Sequence, residues 1–180
     1  MRTITSMKPE YLQSSLALVE EVFTDHENAE EGRTVRALVE EIRSKKYYLP
    51  ELELPMLEDG EPVGYVMFSR FHIEGKYEDR LVILSPAAVK ASVQRQGISR
   101  ALIEHGFRKA AEMGFTAAMV EGNPDNYRAR GFKTSADFGI IAAESIHLPH
   151  EGCLMVAELV PGGLEGITGT VDYGFYDTLQ

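Results

Sequence analysis

A β-strand that contains a proline and leads through a glycine loop into a helix is the feature that most constrains this fold. Residues 80–89 read RLVILSPAAV, an apolar strand pattern with Pro86 inside it. Because proline has no N–H to donate to a neighbouring strand, we expect this strand to bulge or splay near Pro86. A helix is predicted over residues 97–113, and Gly114 provides its C-terminal stop.

The rest of the chain predicts a mixed sheet with helices packed on it, too irregular for repeated βαβ winding. Apolar residues recur with helical spacing from Pro9 to Phe23 and from Thr34 to Lys45. Asp59-Gly60 predicts a hairpin turn, and residues 124–130 are expected to form two helical turns. The other strand patterns cover residues 2–6, 47–58, 63–73, 116–121, 132–141 and 153–160.

Length and charge limit the classes of protein to consider. The 180 residues suit one domain, 1–180, with residues 161–180 as a Gly-rich C-terminal extension. Eighteen Lys and Arg against 28 Asp and Glu give a net charge of −10, which argues against nucleic acid and anionic membranes as general partners. The single cysteine requires no oxidising compartment, and neither a signal peptide nor a membrane-spanning apolar run is present. We therefore expect a cytoplasmic protein.

The loop between this strand and the following helix has the chemistry of a phosphate site. A helix N-terminus presents unpaired N–H groups, and Gly97 lets a phosphate approach them closely. Arg95 and Arg100 add positive charge in an otherwise acidic chain. The loop matches neither a Walker loop nor a Rossmann fingerprint, and an ordinary strand-to-helix turn is the alternative interpretation.

These residues resemble the acetyl-CoA motif of the GCN5-related N-acetyltransferase (GNAT) superfamily, Gln/Arg-x-x-Gly-x-Gly/Ala. Gln94 and Gly97 match it, whereas Ser99 stands where Gly or Ala is usual. Residues 123–132, NPDNYRARGF, resemble the superfamily's Tyr-x-x-x-Gly-Phe element. The tail ELVPGGL with a later GTV further resembles a bacterial subgroup of predicted acetyltransferases called YhbS-like.

The resemblance implies an α/β (α+β) fold with a mixed, mostly antiparallel central sheet. That sheet would splay between its fourth and fifth strands and carry helices on both faces. Acetyl-CoA would be the co-substrate, with no metal, and a small-molecule or protein amine would attack the thioester directly in a ternary complex. The resemblance also allows a homodimer paired through the late strands. The cofactor-binding residues it implies are Ala87, Ala88, Val89, Gln94, Arg95, Gln96, Gly97, Ile98, Ser99, Arg100 and Asn123.

Two catalytic residues follow from the same resemblance. Tyr127 occupies the general-acid position, and a phenol suits the protonation of a departing thiolate of comparable basicity. The alternative for Tyr127 is an aromatic side chain packed on the cofactor or core. Glu121 is the carboxylate best placed to act as base, and a solvated strand end is its alternative interpretation. A non-catalytic acyl-CoA-binding or sensing module, and transfer of a longer acyl group or to a hydroxyl, remain alternative functions.

Two further patterns are weighed and set aside. His147, His150 and Cys153 are ligand types that zinc accepts, but their surroundings indicate a loop entering a strand without a fourth ligand. The acidic run from Glu20 to Glu31 would favour a cationic substrate if it lined a cleft, and a solvated face is the preferred interpretation.

Overall fold

The computed structural model describes residues 1–180 and is built around a seven-stranded, mostly antiparallel sheet. In chain order the strands are β1 (Arg2–Ile4), β2 (Glu53–Glu58), β3 (Glu61–Arg70), β4 (Leu81–Val89), β5 (Ala117–Glu121), β6 (Lys133–Thr134), β7 (Ile140–Ala142), β8 (Leu154–Glu158) and β9 (Gly169–Val171). The large sheet has the order β1-β2-β3-β4-β5-β8-β6, and β7 and β9 form a small separate sheet. The α/β (α+β) class and the hairpin at Asp59-Gly60 are confirmed.

Helices cover both faces of the large sheet. They are α1 (Leu12–His26), α2 (Ala29–Arg43), α3 (Ile98–Glu112) and the short α4 (Pro124–Tyr127). Alternate residues of β4 point to opposite faces: Ile83 packs in the core beneath α1 and α2, and Val82 in the core beneath α3. None of the helices has the length and apolar character needed to cross a membrane.

The proline in β4 produces the expected bulge. Val66 of β3 pairs with Ala87 and Phe68 pairs with Leu84, so Ser85 and Pro86 together lie opposite Met67. Two residues opposite one is the definition of a bulge, and it leaves the missing N–H of proline outside the regular ladder.

The sheet splays between β4 and β5, as the resemblance implied. The two strands run parallel and pair only over Leu81–Ile83 and Ala117–Met119. Beyond this point β4 continues to Val89, still paired with β3, while β5 stays paired with β8. The edge of β4 that faces β5 therefore has no strand partner from Leu84 onward.

Three predicted boundaries are wrong. Residues 132–141 do not form one strand, because a 3₁₀ turn at Ser135–Phe138 and Gly139, with φ of +76°, separate β6 from β7. The strand predicted from residue 47 begins at Glu53, after a 3₁₀ turn at Pro50–Leu52. The second helix begins at Ala29 rather than Thr34, because the Asn28 side chain caps it by accepting the Glu31 N–H at 2.8 Å.

The chain ends in a segment, residues 172–180, that folds back across α2 and is called the C-terminal segment below. Glu41 of α2 accepts the backbone N–H groups of Asp177 and Thr178 at 2.8 and 2.7 Å and pairs with Lys45 at 2.7 Å. Burial raises the pKa of Glu41, but these hydrogen bonds outweigh it and lower the pKa to about 2. Phe175 stacks on His72, with ring centroids 4.3 Å apart. These interactions fix the segment to the body of the protein.

Candidate active site

A cleft of about 1270 Å³ opens in the gap between β4 and β5 and continues to the turn between α1 and α2. One part, the loop side, is lined by residues 84–89, 94, 122, 123, 126 and 127, and it adjoins residues 95–100 at the start of α3. The opposite part, the acidic side, is formed by the α1–α2 turn, residues 143–147 and the C-terminal segment. Glu121, the last residue of β5, lies between the two sides.

The loop between β4 and α3 has an unusual backbone with a row of free N–H groups. Arg95 and Gly97 both have left-handed backbone conformations, with φ of 63° and 77°. None of the backbone N–H groups of residues 95–100 donates to an acceptor within the chain. A row of free N–H groups at the start of a fifteen-residue helix is a favourable environment for phosphate.

Three side chains among the predicted cofactor-binding residues make hydrogen bonds within the chain. Gln94 donates its amide to the carbonyl oxygen of Val89 at 3.2 Å, and Arg100 pairs with Glu104 at 2.9 Å. Gln96 accepts a hydrogen bond from Arg2 at 2.6 Å. Arg95 is exposed and makes no ion pair. No sequence pattern indicated this contact of Arg2, because Arg2 lies on β1, far away in the chain.

The free edge of β4 offers further backbone donors. Lys90 donates its N–H to Val63 of β3 at 2.9 Å. Because backbone groups alternate along a strand, the N–H groups of Val89 and Ala87 point away from β3, into the gap. Ala88 pairs with Tyr65, and its side chain lies in the core beneath α1 and α2.

Tyr127 is held at the loop side by packing. Its ring packs edge-on against Phe132, with centroids 5.7 Å apart. It also covers Gly122 so closely that a Cβ there would lie 2.6 Å from a ring carbon. Burial raises the pKa of Tyr127, and the positive charge of Arg130 lowers it by a smaller amount. The hydroxyl stays protonated at neutral pH and makes no hydrogen bond within the chain.

Asn123 caps the short helix that carries Tyr127. Its side-chain oxygen accepts the backbone N–H of Asp125 at 2.9 Å. The amide NH₂ group of Asn123 is left free at the cleft. Asn123 therefore has a structural role in addition to the cofactor contact predicted for it.

Glu121 has a partner that the sequence did not indicate. The Tyr173 hydroxyl of the C-terminal segment donates a hydrogen bond to the Glu121 carboxylate at 2.9 Å. Burial and the neighbouring Glu121 carboxylate both raise the pKa of Tyr173, so its hydroxyl remains a donor. Fifty-two positions separate the two residues in the chain, and no local pattern connects them.

The cleft is lined by carboxylates, and no Lys or Arg lines it. The acidic run of the sequence divides between two environments. Glu27 and Glu31 line the cleft, together with Glu121 and Asp172, whereas Glu20 lies outside it and pairs with Arg36 at 2.8 Å. The acidic side is thus an environment that attracts cations.

The His-x-x-His-x-x-Cys pattern has a structural explanation. His150 accepts the backbone N–H of Gly152 at 3.2 Å, at the start of a 3₁₀ turn that leads into β8. Cys153 is buried in this turn. No group of three or more His, Cys, Asp or Glu side chains that could hold a metal ion is found.

Comparison with known proteins identifies the fold and the family. The family model described as "Acetyltransferase (GNAT) family" matches residues 16–138. The chain is 30% identical to the uncharacterized N-acetyltransferase YhbS of Escherichia coli (strain K12) over 117 residues, 64% of this chain and 67% of that protein. It is also 30% identical to the uncharacterized N-acetyltransferase YjhQ of the same strain over 133 residues, 73% and 71% of the two chains.

Solved structures of other proteins share this fold. The crystal structure of YhbS from Escherichia coli in complex with CoA superposes with a TM-score of 0.83 at 26% identity, covering 96% of this chain and 89% of that one. A GNAT family acetyltransferase from Brucella melitensis in complex with acetyl-CoA shares the fold, with a TM-score of 0.74 at 23% identity and coverage of 100% and 99%. The chain belongs to the Acetyltransferase (GNAT) family, resembles YhbS within it, and is an acetyl-CoA-dependent acetyltransferase.

Proposed function

We propose that this protein transfers the acetyl group of acetyl-CoA to a primary amine that attacks the thioester directly in a ternary complex. The observation that carries the proposal is one cleft that contains the unpaired edge of β4 and Tyr127. The row of free N–H groups at residues 95–100 follows Gln94, which lines the same cleft. The CoA and acetyl-CoA complexes of the two similar structures support this choice of co-substrate.

Acetyl-CoA would bind mainly through the protein backbone. The N–H groups of Arg95, Gln96, Gly97, Ile98, Ser99 and Arg100 would receive the pyrophosphate. The N–H groups of Ala87 and Val89 would pair with the pantetheine arm, as a peptide pairs with a free strand edge. Ala88 and Gln94 would shape this edge, and the Asn123 amide would contact the arm.

The residues at the strand gap supply the proton transfers. The neutral amine forms a bond to the thioester carbon, and the carbon–sulfur bond breaks. A backbone N–H of β4 would stabilise the oxygen as it gains charge. Glu121 would take the proton that the amine loses, and Tyr127 would give a proton to the departing CoA thiolate. The products are an acetylated amine and CoA.

The acidic side favours an acceptor that carries positive charge. Glu27, Glu31 and Asp172 line the region beyond the thioester position, and no Lys or Arg side chain opposes them. Val22 and Phe23 of α1 add an apolar wall. An ammonium group with an apolar or polycationic body therefore suits this cleft better than an anionic acceptor.

Measurement of CoA release tests the proposal. Acetyl-CoA binding is measured by calorimetry, and CoA release is followed with a thiol reagent. The acceptors are spermidine, phenethylamine and a hexapeptide with a free α-amino group. We expect binding of acetyl-CoA and release with at least one amine. Binding without release across the panel would favour the acyl-CoA-binding module, and no binding at millimolar acetyl-CoA would overturn both. Propionyl- and succinyl-CoA in parallel would reveal a preference for longer acyl groups.

A further inference from the structure

We propose that Tyr173 of the C-terminal segment is a positioning residue that orients Glu121 to receive the proton of the amine. This inference rests on the proposed function and extends it, because it makes a segment outside the family-matched residues 16–138 part of the active site.

The side chain of Glu121 has no other support. β5 ends at Glu121, and Gly122 follows it. The hydrogen bond from Tyr173 is the one side-chain hydrogen bond that Glu121 makes, and Glu121 forms no ion pair. A carboxylate at an exposed strand end samples several rotamers unless a fixed partner holds it. The Tyr173 hydroxyl is that partner.

Tyr173 is itself a fixed donor. Its ring packs edge-on against Phe71 of the core, with centroids 6.2 Å apart. Gln180 donates a hydrogen bond to the Tyr173 carbonyl at 2.9 Å, and Asp172 closes the turn by accepting the Gly174 N–H at 2.8 Å. The bonds to Glu41 of α2 fix the rest of the segment. These contacts therefore fix the position of the Tyr173 hydroxyl.

The hydrogen bond leaves the chemistry of a base available. Tyr173 donates to one carboxylate oxygen, and the second oxygen remains free to accept the proton of the amine. The other titratable groups that line the cleft are His26, Glu27 and Glu31 of the α1–α2 turn, Tyr127 of α4, His147, and Asp172 and Tyr176 of the C-terminal segment.

A double-mutant cycle tests this role. The variants are Tyr173→Phe, Glu121→Gln and the double variant, assayed for CoA release across pH with the fastest amine of the panel. For Tyr173→Phe we expect about a tenfold lower kcat/KM, the effect of a lost hydrogen bond to a charged group. We also expect the loss to appear in kcat, with an unchanged KM for acetyl-CoA. In the Glu121→Gln background, Tyr173→Phe should add less than about twofold.

Tyr47→Phe is the matched control. Tyr47 packs on Phe175 of the same segment, with ring centroids 5.0 Å apart, and it does not line the cleft. Its variant should keep the wild-type kcat/KM. Equal losses from Tyr173→Phe in both Glu121 backgrounds would mean that Tyr173 only stabilises the fold and would overturn the inference.

NMR provides a readout without turnover. In protein labelled with ¹³C at the tyrosine Cζ, the Tyr173 resonance should shift as the pH is lowered through carboxylate protonation, and this shift should vanish in Glu121→Gln. A resonance that behaves identically in both proteins would overturn the pairing. If wild type releases no CoA with any amine, the proposed function fails and the positioning role with it. If the wild type releases CoA and the effects of Tyr173→Phe and Glu121→Gln on kcat/KM are additive, only the positioning role is overturned.

Discussion

The two sides of the cleft are built in opposite ways. The loop side comes from two short stretches of chain and presents mainly backbone N–H groups, at residues 95–100 and along the edge of β4. The acidic side brings together three segments that are far apart in the chain, and it presents side chains. Under the proposed function, the backbone donors would recognise groups common to every CoA thioester, whereas the side chains would select among acceptors. The comparison teaches that cofactor binding and acceptor choice can depend on separate parts of the chain.

The largest effect is expected for Tyr127→Phe, which should lower kcat without weakening acetyl-CoA binding on the loop side. Tyr127→Phe removes the hydroxyl and keeps the ring that packs on Phe132 and Gly122. We expect kcat to fall about a hundredfold, the usual contribution of a general acid. The calorimetric Kd for acetyl-CoA should change by less than about twofold, since the phosphate donors are intact. A kcat close to wild type would exclude Tyr127 as the acid.

A pair of glycine variants tests whether the loop binds through its backbone. Gly97 and Gly114 lie at the two ends of α3, both have positive φ, and a Cβ at either would meet no atom within 4 Å. Alanine at either carries a similar left-handed penalty of about 1–2 kcal/mol. We expect about a tenfold weaker Kd for acetyl-CoA in Gly97→Ala alone. Equal affinities in the two variants would contradict the role of the loop.

Neutralisation of carboxylates tests the acidic side. Glu27→Gln with Glu31→Gln removes two carboxylates from the cleft, and Glu21→Gln with Glu30→Gln removes two exposed ones outside it. For spermidine as acceptor, we expect the first pair to raise KM about fivefold at low salt, less at high salt. The control pair should have a smaller effect, and acetyl-CoA affinity should not weaken in either. The same KM increase in both pairs would indicate a long-range charge effect.

The smallest effect is expected for Glu41, whose hydrogen bonds anchor the C-terminal segment to α2. Glu41→Gln should lower Tm by about 3–6 °C near neutral pH, for a loss of about 1–2 kcal/mol in the free energy of unfolding. The folded-state pKa of Glu41, about 2, lies below its ordinary value of 4.5. This contribution is therefore complete above pH 4.5 and is lost as the pH falls toward 2, so the Tm difference should shrink over that interval.

Glu40→Gln is the control for this measurement. Glu40 is 57% exposed and lies 3.5 Å from Arg36, an arrangement that contributes little to stability. If the segment supports only the acidic side, Glu41→Gln should raise the KM of the amine without weakening acetyl-CoA binding. A Tm difference that persists unchanged to pH 2 would contradict the assigned anchor.

Sequence patterns predicted the loop side well because its signals are local. Pro86 predicted a bulge, and two residues do lie opposite Met67. Gly97 predicted a helix start, and it has the positive φ that favours glycine. The roles of Gln94 and Arg100 were less visible, because a side chain can bond to its own strand or helix as readily as to a ligand.

The errors fall where tertiary contacts determine local structure. Residues 132–141 have strand composition throughout, yet β6 pairs with β8 and β7 pairs with β9 in a different sheet. Pairing partners far away in the chain leave no periodic signal in the segment itself. The packing of the C-terminal segment likewise depends on distant residues, since Phe175 contacts Phe71 and His72.

The sequence by itself determined the order of most elements, the bulged strand, the glycine loop before α3 and the tyrosine that follows the fifth strand. Each depends on the conformational preferences of a few neighbouring residues. Only the tertiary structure decided that Glu27 and Glu31 face the cleft while Glu20 faces Arg36, and that Tyr173 holds Glu121. Each of these contacts joins segments that are distant in the chain. Such contacts form only when the whole chain folds, so no local sequence pattern encodes them.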